Sequence, residues 1–213
     1  MVKNRLIVAL DLYDVERALG LIHEIGDNIY GAKVNWPLIM SEGIGVIRKL
    51  SKETKVICDL KLADIPNTVR LITEKAREQG GFGIITHSFT GSDSLSAVVR
   101  SAGPMKVFSV VAMSHAGSSE FITPSMDSLI DISMDAGVSG FIAPGNNYEV
   151  LRHIRKRAGK LTILSPGVGA QGGDPSLAIR NGADFIIVGR SIYNSENPSN
   201  TVRQINNSLK GVF

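Results

Sequence analysis

The chain has one cysteine, Cys58, in 213 residues, so an internal disulfide is excluded and a reducing compartment is its natural setting. Aromatic residues make up only 6% and are nowhere interleaved with a block of lysine and arginine. The nearest approach to such a block, Arg152 to Lys160, falls on one face of a predicted helix. It reads as a solvated face rather than a nucleic-acid surface. Charge of one sign is not in excess: the net value of +3 is too small for a polyanion binder, though it suits a small anionic substrate. No apolar run approaches the roughly 18 residues of a membrane span. Met1 to Leu6 lacks the charged-then-apolar pattern of a signal peptide, so a soluble cytoplasmic protein with no membrane partner is expected. Charged residues are mixed along the sequence, and nothing has the composition of a disordered tail. A hydrophobic content of 43% over this length suffices for one well-buried domain and is short for two, so residues 1–213 are expected to form a single domain.

What the sequence does have is rhythm. Short apolar runs occur at Arg5–Leu10, Gly31–Val34, Lys55–Leu60, Phe82–Thr86, Lys106–Ala112, Gly140–Ala143, Leu161–Leu164 and Asp184–Val188. Each is bounded by Gly, Pro, Asp or Ser, as buried parallel strands are. Amphipathic segments lie between them. Val15, Leu19, Ile22 and Ile25 share one side of the first, which stops at Gly26, and Val69, Ile72 and Ala76 share one side of another. Asp174-Pro175 supplies an N-cap and a first-turn proline, and the last segment starts at Pro198. Strand and helix alternating through eight units predict an α/β fold of the (β/α)8 TIM-barrel type. An open doubly wound sheet fits less well, because the rhythm never breaks. In such barrels chemistry sits in the loops after the strands.

The charges fall there. The third run ends Asp59-Leu60-Lys61-Leu62-Ala63-Asp64, and strand alternation turns Asp59 and Lys61 to one side. A carboxylate and an ammonium facing a barrel lumen are costly unless paired or used. Asp64 follows, just ahead of Pro66-Asn67-Thr68, which reads as a helix entry. With Lys33 near the end of the second strand and Asp11 after the first, five charged groups are expected to converge on one rim. By pattern alone they are either a structural ion-pair network or a site.

The seventh strand runs into Ser165-Pro166-Gly167-Val168-Gly169-Ala170-Gln171-Gly172-Gly173-Asp174, and the eighth ends Val188-Gly189-Arg190. Barrels frequently bind phosphate on these two loops. Here four glycines are expected to free backbone N–H groups for close approach, Gln171 to donate through its amide, and Arg190 to offer a bidentate fork. The first loop is also long enough to serve as a lid.

Taken together, Asp59-x-Lys61-x-x-Asp64-Ile65-Pro66-Asn67-Thr68, the Pro166–Gly173 loop and Val188-Gly189-Arg190 resemble the signature of the orotidine 5′-phosphate decarboxylase family, and the compact length is like its archaeal members. The resemblance runs from Leu10-Asp11 to Arg190. It implies cofactor-independent decarboxylation of orotidine 5′-monophosphate to UMP and CO2, the last step of de novo pyrimidine nucleotide synthesis. It further implies that Lys61 protonates C6 of the pyrimidine beside Asp59, within an array of Lys33, Asp59, Lys61 and Asp64. Asp11 and Lys33 would bind ribose hydroxyls, and Ser114 the pyrimidine amide edge. Pro166, Gln171, Gly189 and Arg190 would surround the phosphate, with Ile65 lining an apolar pocket near the departing CO2. The same resemblance implies a homodimer with shared sites, Asp64 and Thr68 coming from the neighbouring subunit. Asn35-Trp36 departs from the family pattern and is assigned no function.

The rival readings differ in chemistry. A Mg2+-dependent keto-sugar phosphate decarboxylase or hexulose-phosphate synthase resembles this chain in the third strand but has Glu where this chain has Lys33, and a lysine there argues against a cation. His87 and His115, each at a strand end, are the remaining candidate ligands, and no metal is expected. A Schiff-base aldolase needs a neutral lysine, whereas flanking carboxylates hold one charged. A phosphate-ligand sensor on a retired barrel would have no need of both lysines.

Overall fold

A computed structural model describes residues 4–212. Eight strands occur where the apolar runs predict them: β1 (Leu6–Leu10), β2 (Gly31–Asn35), β3 (Val56–Leu62), β4 (Gly83–His87), β5 (Lys106–Val110), β6 (Gly140–Ile142), β7 (Thr162–Ser165) and β8 (Phe185–Val188). Each pairs in parallel with the next, and β8 closes on β1 through Leu6–Ile186 to Val8–Val188. The fold is therefore a (β/α)8 barrel.

The strands are apolar on both faces because both faces are covered. On β1, Leu6, Val8 and Leu10 point outward to the helices, whereas Ile7 and Ala9 point into the lumen. The lumen is filled by Ile57, Ile85, Phe108, Val110, Ile142, Leu164, Phe185 and Ile187. At its lower rim Tyr30 stacks on Phe185, with centroids 4.2 Å apart, and meets Phe82 edge-on at 6.0 Å. The Lys55 ammonium lies 4.2 Å from the Tyr30 ring centre. These rings line the N-terminal end of the lumen, and in such barrels the strand C-termini form the functional rim.

Helix α1 (Val15–Ile25) starts on the Asp14 cap and stops at Gly26. The β2–β3 connection holds two short helices rather than the one that an even rhythm implies: α2 (Trp36–Glu42), capped by Asn35, and α3 (Val46–Leu50). Gly43, at φ +76°, separates them. The predicted helix entry at Pro66 opens α4 (Pro66–Glu78), which is followed by α5 (Ser92–Ala102), α6 (Met126–Asp135) and α7 (Tyr148–Ala158). Asp174 caps α8 (Pro175–Arg180) as expected. After β8 come α9 (Arg190–Tyr193) and α10 (Pro198–Ser208).

The basic run on α7 is tied to its neighbours. Arg155 pairs with Asp184, Arg157 with Asp127 and Asp131, and Arg152 donates to Asn181. Cations already committed to carboxylates make a poor phosphate-binding stripe. Among the described residues no helix is long and apolar enough to cross a membrane.

Candidate active site

At the C-terminal rim the lumen opens into a cavity of about 270 Å3, lined from all eight strands or the loops that follow them. Its floor and one wall are apolar: Ala9, Ile85, Val110, Ile142 and Ile187. Its polar residues are grouped. Asp11, Lys33, Asn35, Asp59 and Lys61 stand on the β1–β3 side, and Ser114, Gln171 and Arg190 on the side of β5, β7 and β8.

The first group forms one chain of contacts. Lys33 Nζ lies 3.2 Å from Asp11 Oδ1 and 2.9 Å from Asp59 Oδ2, and Lys61 Nζ donates to both oxygens of Asp59, at 2.7 and 2.8 Å. Lys33 and Asp59 are almost fully buried, whereas the Lys61 side chain retains 35% exposure toward the cavity. Burial pushes the Lys33 ammonium down, but the charges and hydrogen bonds of Asp59 and Asp11 outweigh it and set the net value above the ordinary lysine range. Burial likewise pushes Asp59 up, and the two lysines overcome it, holding the carboxyl below the usual range. The ion pairs are therefore maintained in a nearly dry environment, where field strength is high. The Asp11 and Asp59 carboxylates, the oxygens that a divalent cation would need, are already bridged by an ammonium. Among the described residues no cluster of His, Cys, Asp and Glu is arranged to hold a metal.

Lys61 reaches this position by a device that strand alternation does not reveal. Between Cys58 and Leu62 the β3–β4 register shifts, and Lys61 has φ +43°, the one positive φ at a non-glycine residue among the described residues. A bulge re-aims the side chain at the end of the strand, at a backbone cost of about 1–3 kcal/mol.

The phosphate-side loop also differs from expectation. Three of the four glycines commit their N–H groups within the loop: Gly169 to Gly173 O, Gly172 to Gly169 O, and Gly173 to Gly167 O. Their role is to let the chain fold back on itself. A Cβ on Gly173 would stand 2.6 Å from Gly167 O and 2.8 Å from Gly145 O. The side chains that line the cavity here and could face an anion are Gln171 and Arg190, beside Pro166, Gly167 and Gly189. Ser114 Oγ donates to Gln171 Oε1 at 2.9 Å, so the β5 loop clasps the β7 loop across the cavity. Sequence inspection had no signal for this clasp, nor for the apolar wall of Ile85, Val110 and Ile142.

Of the five charges expected on the rim, four meet. Asp64 does not join them: it is exposed, accepts from the Ile65 N–H at 2.7 Å, and lies outside its own chain's cavity. Ile65, 65% exposed, and Thr68, on the first turn of α4, are outside it as well. His87 and His115 are not brought together. His87 is buried beside Phe89, and burial, with help from the Lys61 charge, lowers it to about 4. His115 is exposed and does not line the cavity.

Known proteins carry the same architecture. Residues 4–205 match the model of the orotidine 5′-phosphate decarboxylase/HUMPS family. The chain belongs to that family. Curated relatives named orotidine 5′-phosphate decarboxylase include one from Thermoplasma acidophilum, 51% identical over 98% of this chain and 97% of its own length. Another, from Pyrococcus furiosus, is 47% identical over 96% and 97%. Among solved structures, the orotidine 5′-phosphate decarboxylase of Pyrococcus horikoshii superposes with a TM-score of 0.90 at 44% identity, covering 97% of this chain and all of that one. The Methanocaldococcus jannaschii orotidine 5′-monophosphate decarboxylase complexed with inhibitor BMP gives a TM-score of 0.92 at 35% identity, covering 97% and 99%. The family description embraces two branches, the decarboxylase and HUMPS, and these relatives carry the decarboxylase name.

Proposed function

We propose that this chain, working as one cytoplasmic barrel domain, decarboxylates orotidine 5′-monophosphate to UMP and CO2 in pyrimidine nucleotide synthesis, without a metal or cofactor. The observation that carries this reading is the unbroken Asp11–Lys33–Asp59–Lys61 array beside the apolar floor of the cavity. Breaking the C6–CO2 bond leaves an electron pair on a ring carbon with no π-system to spread it. A fixed ammonium in a poorly solvated cavity is the most direct stabiliser of that charge. Lys61 then gives a proton to C6, forming the C–H bond and becoming a neutral amine that solvent reprotonates. Asp59 holds Lys61 in place, and Lys33 keeps Asp59 ionised. Asp11 and Lys33 face the ribose, Ser114 the pyrimidine edge, and Gln171, Gly189 and Arg190 the phosphate. Phosphate binding closes the Pro166–Gly173 loop, so that remote binding energy is expressed at the chemical step.

Asp64, Ile65 and Thr68 are assigned to the neighbouring subunit's site in a homodimer. What supports this is that all three lie at the functional rim outside their own chain's cavity, Asp64 and Ile65 exposed and Thr68 half-buried.

The test is the fall in orotidine 5′-monophosphate absorbance with formation of UMP, with and without EDTA. Full activity in chelator is expected. Activity that disappears on chelation and returns with Mg2+ would assign the chain to the metal-dependent branch, and borohydride trapping of a substrate adduct on Lys61 would assign it to aldolase chemistry.

A further inference from the structure

Asn35 takes no part in the chemistry above, and its surroundings indicate what it does. It is the last residue of β2, two positions beyond Lys33, so its side chain shares the inward face of the strand and lines the cavity. The strand register sets it beside Asp59 of β3 and, one step past the Leu10–Val34 pair, beside Asp11 after β1. An uncharged amide thus stands between two carboxylate-bearing positions at the mouth of the barrel.

Its orientation is set locally. The Oδ1 atom accepts the Trp36 N–H at 2.7 Å and caps α2. A backbone N–H can only donate, so the amide oxygen must face it and the NH2 group must face away. Among the described residues no acceptor takes a hydrogen bond from Nδ2. A half-buried donor is therefore preset and unused at the β1–β2 side of the cavity. The anion-facing side chains stand beyond β1, on the β7 and β8 loops, and Ser114 lies after β5, which leaves the sugar as the part of a nucleotide nearest Asn35. A hydroxyl suits this position chemically. It donates its proton to the Asp11 carboxylate and still has lone pairs to receive the Asn35 amide.

We infer that Asn35 is a substrate-binding residue whose Nδ2 donates to a ribose hydroxyl. The inference rests on the reading of the chain as a nucleotide decarboxylase and adds to it a residue that the family resemblance leaves unassigned.

The experiment uses two cap-retaining variants. Asn35→Ser keeps a capping oxygen but replaces the amide NH2 with a shorter hydroxyl held at the cap, out of reach of the sugar, and Asn35→Asp caps equally well but offers only acceptors. Kinetics are measured on orotidine 5′-monophosphate and on its 2′-deoxy and 3′-deoxy analogues, alongside thermal melts. Asn35→Ser is expected to melt like wild type and to raise KM on the ribonucleotide about 3- to 10-fold, the loss of one neutral hydrogen bond. On one of the two deoxy analogues that penalty should vanish, because the partner hydroxyl is already gone. Asn35→Asp is expected to lose more than Asn35→Ser on the ribonucleotide. Wild-type kinetics in Asn35→Ser, or an equal loss on all three substrates, would overturn the inference while leaving the decarboxylase reading intact. A wild-type protein inactive on the ribonucleotide would instead remove both.

Discussion

At the scale of single residues, Asp59 is the position on which most depends. It accepts from Lys61 and pairs with Lys33 while itself nearly dry. Replacing it with Asn leaves the Lys33 ammonium buried against Asp11 alone, and breaking a buried ion pair by removing one partner costs about 3–5 kcal/mol. Urea titration of Asp59→Asn is expected to show that loss near neutral pH. The pH dependence has a definite sign. The folded-state value of Asp59 lies below its ordinary 3.8, so the stability it confers is present above 3.8 and is lost as pH falls through the folded value. Lys33 lies above its ordinary 10.5, so its contribution is present below 10.5 and is lost as pH rises through the folded value. Acid titration of wild type against Asp59→Asn should therefore show the gap in stability narrowing below pH 3.8. Lys61→Ala removes both the stabilising charge and the proton donor, and a fall in kcat of at least about 1000-fold is expected, read in single-turnover UMP formation.

At the scale of elements, the end of β3 and the loop after β7 both depend on backbone that most residues resist. At Lys61 the left-handed φ is a cost carried for the sake of aim. Lys61→Gly and Lys61→Ala both abolish the ammonium, so their difference isolates the backbone. The glycine variant is expected to be more stable than the alanine variant by about 1 kcal/mol, the reverse of the order in an ordinary strand, as thermal melts would show. In the phosphate loop, Gly173→Ala forces a methyl group against the carbonyls of Gly167 and Gly145. A rise in KM for orotidine 5′-monophosphate is expected, together with destabilisation of about 1–3 kcal/mol. The basic face of α7 reads the same from sequence and structure, because its arginines find carboxylates on α6 and beside β8.

At the scale of the whole molecule, the large apolar side chains left exposed are unevenly distributed. Five of the nine among the described residues, Trp36, Met40, Ile65, Phe89 and Phe121, lie in the segments that follow β2, β3, β4 and β5, whereas Tyr13, Leu71, Met134 and Leu177 are scattered. Apolar groups gathered at one end of a barrel fit an interface with a second copy. Sedimentation of the wild type is expected to give a dimer, and Ile65→Asp a weaker dimer with reduced activity. Mixing inactive Asp59→Ala and Asp64→Ala proteins is expected to restore up to about a quarter of wild-type activity, since random exchange makes half the dimers mixed and each mixed dimer keeps one intact site. Complete failure to recover with demonstrably exchanged subunits would rule out sharing of the site.

Composition and periodicity determined the barrel, because strands covered on both faces must be apolar throughout and helices between them must be amphipathic. They also located Asp11, Lys33, Asp59 and Lys61, since charges at the ends of such strands have nowhere else to go. Three matters were decided only by tertiary structure. The bulge at Lys61 depends on pairing with β4, a relation between distant segments that no local pattern encodes. Three of the four glycine N–H groups of the β7 loop looked available in sequence and proved to be committed, because their partners are set by how the loop folds back. Asp64 stands in the same short motif as Asp59 and Lys61, yet the chain turns it out of the cavity, where its Oδ1 accepts the Ile65 N–H at the entry to α4.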